Sequence, residues 1–182
     1  MTPSLRRAQL ADASALPAVE RSAAALFRND PELAWLADAP VTSVEQHQHD
    51  IRCALIWVAE AADASIVGFL SAHTVDTELH IQEVSVSSGF QGQGLGRRLL
   101  QTALEHARHN GLTALTLTTF RELPWNELFY RRFGFQTLPF SSLDQRLKAV
   151  LEAEISHGLP GTRRCAMRYC AGSRLTSKPP CT

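Results

Sequence analysis

The sequence predicts a single-domain α/β fold, and three observations carry the prediction. Strand-like segments alternate with segments of helical apolar spacing along most of the 182 residues. A glycine-bearing loop, SSGFQGQGLG at 87–96, leaves a strand pattern and runs directly into an amphipathic helix. The length is that of one domain able to bury a substantial core.

Taken in order, SLRRAQ (4–9) reads as a first strand. Residues 11–28 have helical apolar spacing, with Asp12 or Ser14 available as cap and Pro17 in the first turn, where its missing N–H is tolerated. NDPELAWLADAP (29–40) is turn-rich and predicts no regular element. A second helix spans 43–55, capped by Ser43, with Val44, Ile51 and Leu55 along one face. Three strands follow at 56–61, 65–75 and 78–87, the first two joined by a short turn containing Asp63. In the helix after the glycine loop, Leu95, Leu99, Ala103 and Ala107 form an i, i+4 row with Leu100 and Leu104 beside it. Arg97, Arg98, Gln101, Glu105 and Arg108 face mostly outward. Asn110-Gly111 closes that helix as a C-cap pair. A strand at 112–120, a short helix at 123–134 stopped by Gly134, a strand at 135–140, a long helix at 141–158 and a strand at 163–170 complete the domain, 1–170. Residues 171–182 lack apolar periodicity and are expected to form a loose tail.

Composition excludes several function classes. Eighteen Lys and Arg balance eighteen Asp and Glu, so the long-range field that gathers nucleic acid or an anionic membrane is missing. The apolar runs ALIWVA and SIVGFL fall far short of the roughly 20 residues a bilayer span needs. No secretory apolar core develops behind the first arginines, and a cytoplasmic location, as monomer or homodimer, is expected. Cys53, Cys165, Cys170 and Cys181 show neither a zinc spacing nor the density of a disulfide scaffold, and reduced thiols are expected. No metal site is expected either: on a helix His47 and His49 point to different faces, and His106 with His109 lacks a third ligand.

The glycine loop matches neither nucleotide motif. Gly92-x-Gly94-x-Gly96 brings the third glycine one place too soon for a dinucleotide fingerprint, and the Lys-Ser/Thr pair of a phosphate loop is absent. The physical logic survives the mismatch, because glycines admit a close ligand and a helix start aims unpaired N–H groups at an anion. On the glycines alone, a tight turn without a ligand fits as well.

The context decides between them. VSVSSGFQGQGLGRRLL resembles the acetyl-coenzyme A motif of the GCN5-related N-acetyltransferases, a strand feeding a Q/R-x-x-G-x-G/A loop that caps a helix, with Gln91, Gly94 and Gly96 in register. FYRRFGF resembles the second signature of that family, and RRAQLADA looks like its usual start, so the resemblance covers roughly residues 4 to 170. It implies a mixed, mostly antiparallel sheet splayed near its middle at the acetyl-coenzyme A site, with flanking helices. It also implies that the backbone of Gln91, Gly92, Gln93, Gly94, Leu95 and Gly96 holds the pyrophosphate, that the backbone of Val84 and Val86 pairs with the pantetheine arm, and that Tyr130 protonates the leaving thiolate. Family members often carry an Asn seven places before the Tyr. Leu123 stands there, and Asn126, four places before, either caps the short helix or reaches the cofactor.

Glu83 breaks the strand pattern. In strict alternation it shares a face with Leu79, Ile81 and Ser85, while Val84 and Val86 lie opposite with His80 and Gln82, so the apolar phase switches at Glu83. The resemblance implies a bulge there and an acid that removes the amine's proton, a task suited to a carboxyl raised by desolvation. The expected activity is acetyl transfer from acetyl-coenzyme A to a primary amine of a small molecule such as an amino acid, a polyamine or an aminoglycoside-like compound. A protein lysine or amino terminus as acceptor, or a non-catalytic acyl-coenzyme A sensor, are the alternatives.

Overall fold

The structure is a computed structural model and describes residues 2–172. Among the described residues, seven strands follow the order β1-β2-β3-β4-β5-β7-β6, numbered along the chain. The chain divides into two compact units, Met1–His73 with Glu83–Ala103, and Thr74–Gln82 with Leu104–Thr182.

In the first unit, β1 (Ser4–Arg7) pairs antiparallel with β2 (Leu55–Glu60), which pairs antiparallel with β3 (Ile66–Val75). Between β1 and β2 lie α1 (Leu16–Ala24) and α2 (Val44–Cys53). The helix expected over 11–28 is divided: short 3-10 turns at Leu10–Ser14 and Ala25–Asn29 flank α1. Pro17 stands in the first turn of α1, as its missing N–H requires. Asp12 is not the N-cap of α1; it lies inside the Leu10–Ser14 turn, where its carboxylate accepts the Gln9 N–H at 2.7 Å as part of a capping box, and the Arg6 guanidinium donates to both its oxygens at 2.7 and 2.9 Å and also to Glu60. Ser43 caps α2 by accepting the Gln46 N–H at 3.2 Å. Leu16 and Val19 of α1 pack on Ile56, Val58 and Phe69, with Ile51 of α2 beside them. Each such side chain contributes on the order of 1.5–3 kcal/mol when fully buried.

β4 (Glu78–Val86) and α3 (Leu95–His109) each run through both units. The start of α3 is seated by Leu95, which packs with Ala59 and Val67 and with the flanking Val86 and Phe90. Leu99, Leu100, Ala103, Leu104 and Ala107 are all buried, as the apolar row predicts.

The second unit holds β5 (Ala114–Phe120), α4 (Glu127–Phe133), β6 (Gln136–Thr137), α5 (Gln145–Ser156) and β7 (Arg164–Cys170). β5 pairs parallel with β4 from Glu78↔Ala114 to Ile81↔Leu117, and antiparallel with β7 along its whole length. The strand expected over 135–140 shrinks to two residues, since Pro139 cannot donate to a ladder. Cys53 and Cys165 are free, whereas Cys170 is disulfide-bonded, which departs from the expectation of reduced thiols. Ala171 is buried and donates its N–H to Thr113 O; the rest of the expected tail, beyond Gly172, lies outside the described residues. Among the described residues no helix is long and apolar enough to cross a membrane.

Candidate active site

β4 changes character where the sequence changes phase. Glu78 through Ile81 are buried, Gln82 is exposed, and Glu83 and Val84 are partly covered. Some of the Glu83 side chain remains accessible, yet it is enclosed enough that lost solvation dominates its titration. The carboxyl is pushed up to about 8, first by burial and next by the negative charge of Glu20, while the Ser85 hydroxyl, donating to Oε1 at 2.6 Å, favours the ionised form. A carboxyl in that range is more basic than an ordinary glutamate and still exchanges its proton near neutrality.

Glu20 is a partner the sequence reading missed. It lies on α1 one turn after Leu16, and its Oε2 accepts the Thr42 N–H at 3.0 Å. His47 Nε2 stands 2.6 Å from Oε1, although the two atoms lack the alignment of a hydrogen bond. The two side chains are only 10% and 3% exposed, and His47 meets the ring of Phe69 edge-on. A signal was available: Glu20 follows Leu16 by four, and His47 lies three after Val44 and four before Ile51, so both fall on apolar helix faces. Among the described residues no three His, Cys, Asp or Glu side chains gather as a metal ion would need.

The loop begins directly after β4. Gly68 on β3 permits the close approach there, since a Cβ on it would stand 3.1 Å from Ser85 O. Gln91 is engaged within the turn, its N–H on Ser88 O at 3.3 Å and its side-chain amide on Val86 O at 2.8 Å. Gly92 and Gly94 have φ of 72° and 79°, the left-handed region that glycine enters without strain. Gln93 braces the loop by donating to Gly89 O at 2.9 Å. The first helical bond of α3 is Arg98 N–H to Gly94 O, which leaves the amides ahead of it in the position of orphan helix donors. Among the described residues no backbone hydrogen bond takes the amides of Gly92 through Gly96. Successive amides in such a turn, backed by the positive end of a 15-residue helix, suit an anion, and a Cβ at Gly92 or Gly94 would meet nothing within 4 Å. These residues therefore fit the pyrophosphate of coenzyme A.

Glu83, Val84, Val86 and the loop belong to the first unit; Tyr130 and Asn126 belong to the second. Tyr130 is partly buried on α4, its ring edge-on to Phe129 and Phe135 at 5.1 and 5.7 Å, and its carbonyl accepts the N–H of Gly134 and Phe135 where the helix ends. Asn126 occupies the N-cap position of α4 without a side-chain cap hydrogen bond. Glu127 secures that end instead, accepting the Glu122 N–H at 2.7 Å and the Thr137 hydroxyl at 2.5 Å.

A model described as the acetyltransferase (GNAT) family matches residues 21–135, from α1 through the Gly134 turn. Streptothricin acetyltransferase of Streptomyces lavendulae is 32% identical over 111 residues, covering 60% of this chain and 57% of that protein. N-acetyltransferase 8F1 of Rattus norvegicus is 30% identical over 112 residues, covering 57% and 50%. The chain thus spans little more than half the length of these curated relatives. PaiA N-acetyltransferase from Thermoplasma acidophilum, solved in complex with coenzyme A, superposes with a TM-score of 0.68 at 17% identity over 93% of this chain and 99% of that one. The ribosomal-protein-S18-alanine N-acetyltransferase from Escherichia coli gives 0.67 at 16% identity, over 94% and 96%. Such distant likeness establishes a common fold. With the family model covering more than half of the residues and holding both the loop and Tyr130, the chain belongs to the acetyltransferase (GNAT) family.

Proposed function

We propose that the protein moves an acetyl group from acetyl-coenzyme A to a primary amine by direct attack in a ternary complex, with no covalent enzyme intermediate. The observation that carries the reading is Glu83, an enclosed carboxyl titrating near 8 on the strand that leads into a loop of available amides. Acetyl-coenzyme A supplies the acetyl group as an activated thioester. The amides of Gly92 through Gly96 hold its pyrophosphate, the backbone of Val84 and Val86 pairs with its pantetheine arm, and Asn126 contributes a polar contact. Glu83 removes the proton an amine carries near neutral pH, which frees the nitrogen lone pair. As the C–N bond forms and the C–S bond breaks, Tyr130 gives its hydroxyl proton to the departing sulfur, and the second proton shed by the acylated nitrogen restores the Tyr130 hydroxyl, while the first leaves Glu83 to solvent.

The acceptor is a small-molecule amine in this reading. The streptothricin enzyme among its relatives supports that choice by name, and an enclosed base suits a compact acceptor. The test offers acetyl-coenzyme A with an equimolar mixture of amino acids, polyamines, aminoglycosides, lysine peptides and free amino-terminal peptides, read by mass spectrometry. Acetylated small amines are expected. Acetylation confined to peptides moves the acceptor to protein, and no acetylated product despite coenzyme A binding leaves a sensor.

A further inference from the structure

The turn that precedes the loop glycines is held from outside, by a side chain for which acetyl transfer, as described, has no use. Ser22 lies on α1 three places after Val19 and six after Leu16, so helical spacing brings it to the edge of the stripe that packs on β2 and β3. There its hydroxyl oxygen accepts the Ser88 N–H at 2.9 Å and stands 3.1 Å from the Ser88 hydroxyl. Ser88 opens the 3-10 turn Ser88–Phe90, and Ser87, the cap residue of that turn, makes no side-chain cap hydrogen bond. A donor that the local sequence leaves unpaired is thus taken by a helix distant in the chain. We propose that Ser22 is a positioning residue for the donor loop, fixing the turn from which the amides of Gly92 through Gly96 are presented. This rests on the reading of that loop as the coenzyme A site.

The other bonds around the loop show why this one matters. The Gln91 amide on Val86 O, the Gln93 amide on Gly89 O and the Phe90 N–H on Ser87 O close within the segment itself, so they set its shape but not its place. Its two ends are fixed, one by the Ser87 N–H on Val67 O of β3 and the other by Leu95 in the core. Between those ends the hold comes from Ser22. Both serines belong to the first unit, and because Leu16 and Val19 bury α1 against the sheet, the Ser22 hydroxyl is a firm anchor. An amide array fixed before its anion arrives spares the ligand the cost of ordering it.

The experiment is calorimetric titration with coenzyme A of the parent, Ser22→Ala, Ser22→Thr and Gly96→Val, with the melting temperature and the amide hydrogen exchange of the loop measured beside it. Ala is the best helix former, so α1 persists in Ser22→Ala, as circular dichroism will record. In that variant the Ser88 amide loses its acceptor and exchanges faster. Coenzyme A binds it roughly 3- to 10-fold more weakly, the range of one lost hydrogen bond. Ser22→Thr keeps the hydroxyl and binds like the parent. A folded Ser22→Ala variant whose affinity stays within about a factor of two of the parent's overturns the proposal, even if its melting temperature falls, since the hydroxyl then serves stability alone. A Ser22→Thr variant as weak as Ser22→Ala overturns it too, because the hydroxyl is then not what counts. Gly96→Val keeps the two readings apart. Unchanged affinity in that variant means that the loop is not the donor site, and both readings fall; lost binding there beside parent-like binding in Ser22→Ala removes the role of Ser22 alone.

Discussion

Glu83 is basic because it is poorly solvated, and the same cause fixes how stability depends on pH. An unfolded glutamate titrates near 4.5 and the folded one near 8, so between those values the native state keeps a proton that the unfolded state has lost. The stabilisation is fully present below about 4.5 and is lost as pH rises through about 8, with a total on the order of a few kcal/mol. Urea unfolding at both ends of that window should show the parent losing more stability than Glu83→Gln by this amount. In kinetics the same variant should slow turnover at neutral pH and recover partly as the acceptor loses its own proton, with coenzyme A affinity unchanged. An unaltered profile would leave Glu83 without a role in proton transfer. Tyr130→Phe keeps the ring contacts with Phe129 and Phe135, so the melting temperature should hardly move while kcat falls roughly 10- to 1,000-fold. A variant as fast as the parent would mean that water protonates the thiolate.

At the scale of elements, the strand, loop and helix of the proposed donor site were legible because each has a local cause: period-2 patterning, glycines at φ of 72° and 79°, and an apolar row on α3. What was not legible depends on partners distant in sequence. The helix expected over 11–28 is shortened because Asp12, bonded to Arg6 from β1, caps the separate Leu10–Ser14 turn and not α1, whose first turn holds Pro17. The buried faces of α1 and α2 carry Glu20 and His47, and polarity hid residues whose spacing was apolar. The two loop glycines also give different tests. A side chain at Gly94 must adopt a left-handed φ, at about 1–2 kcal/mol, whereas Gly96 lies inside α3. Gly96→Val should therefore abolish coenzyme A binding in calorimetry while the helical circular dichroism persists, and unchanged affinity would remove the loop from the donor site. Ser43→Ala tests the α2 cap separately, with an expected loss of about 1 kcal/mol in unfolding free energy.

For the molecule as a whole, the α/β class followed from alternation of patterns, but strand order did not. A period of two says that a segment is a strand and is silent about its neighbour, so neither the parallel β4–β5 ladder nor the place of β7 between β5 and β6 could be read from sequence. The family model supplies the context that pattern cannot, and the balance of eighteen basic and eighteen acidic residues leaves recognition of an acceptor to local groups and not to a long-range field. The central claim is that these parts catalyse rather than merely bind. Thiol release from acetyl-coenzyme A, followed with and without primary amines, tests it most directly. The account predicts slow release alone and an amine-dependent rate that saturates with acceptor and is matched mole for mole by N-acetylated product. Release that no amine accelerates, in a protein that binds coenzyme A, would contradict it.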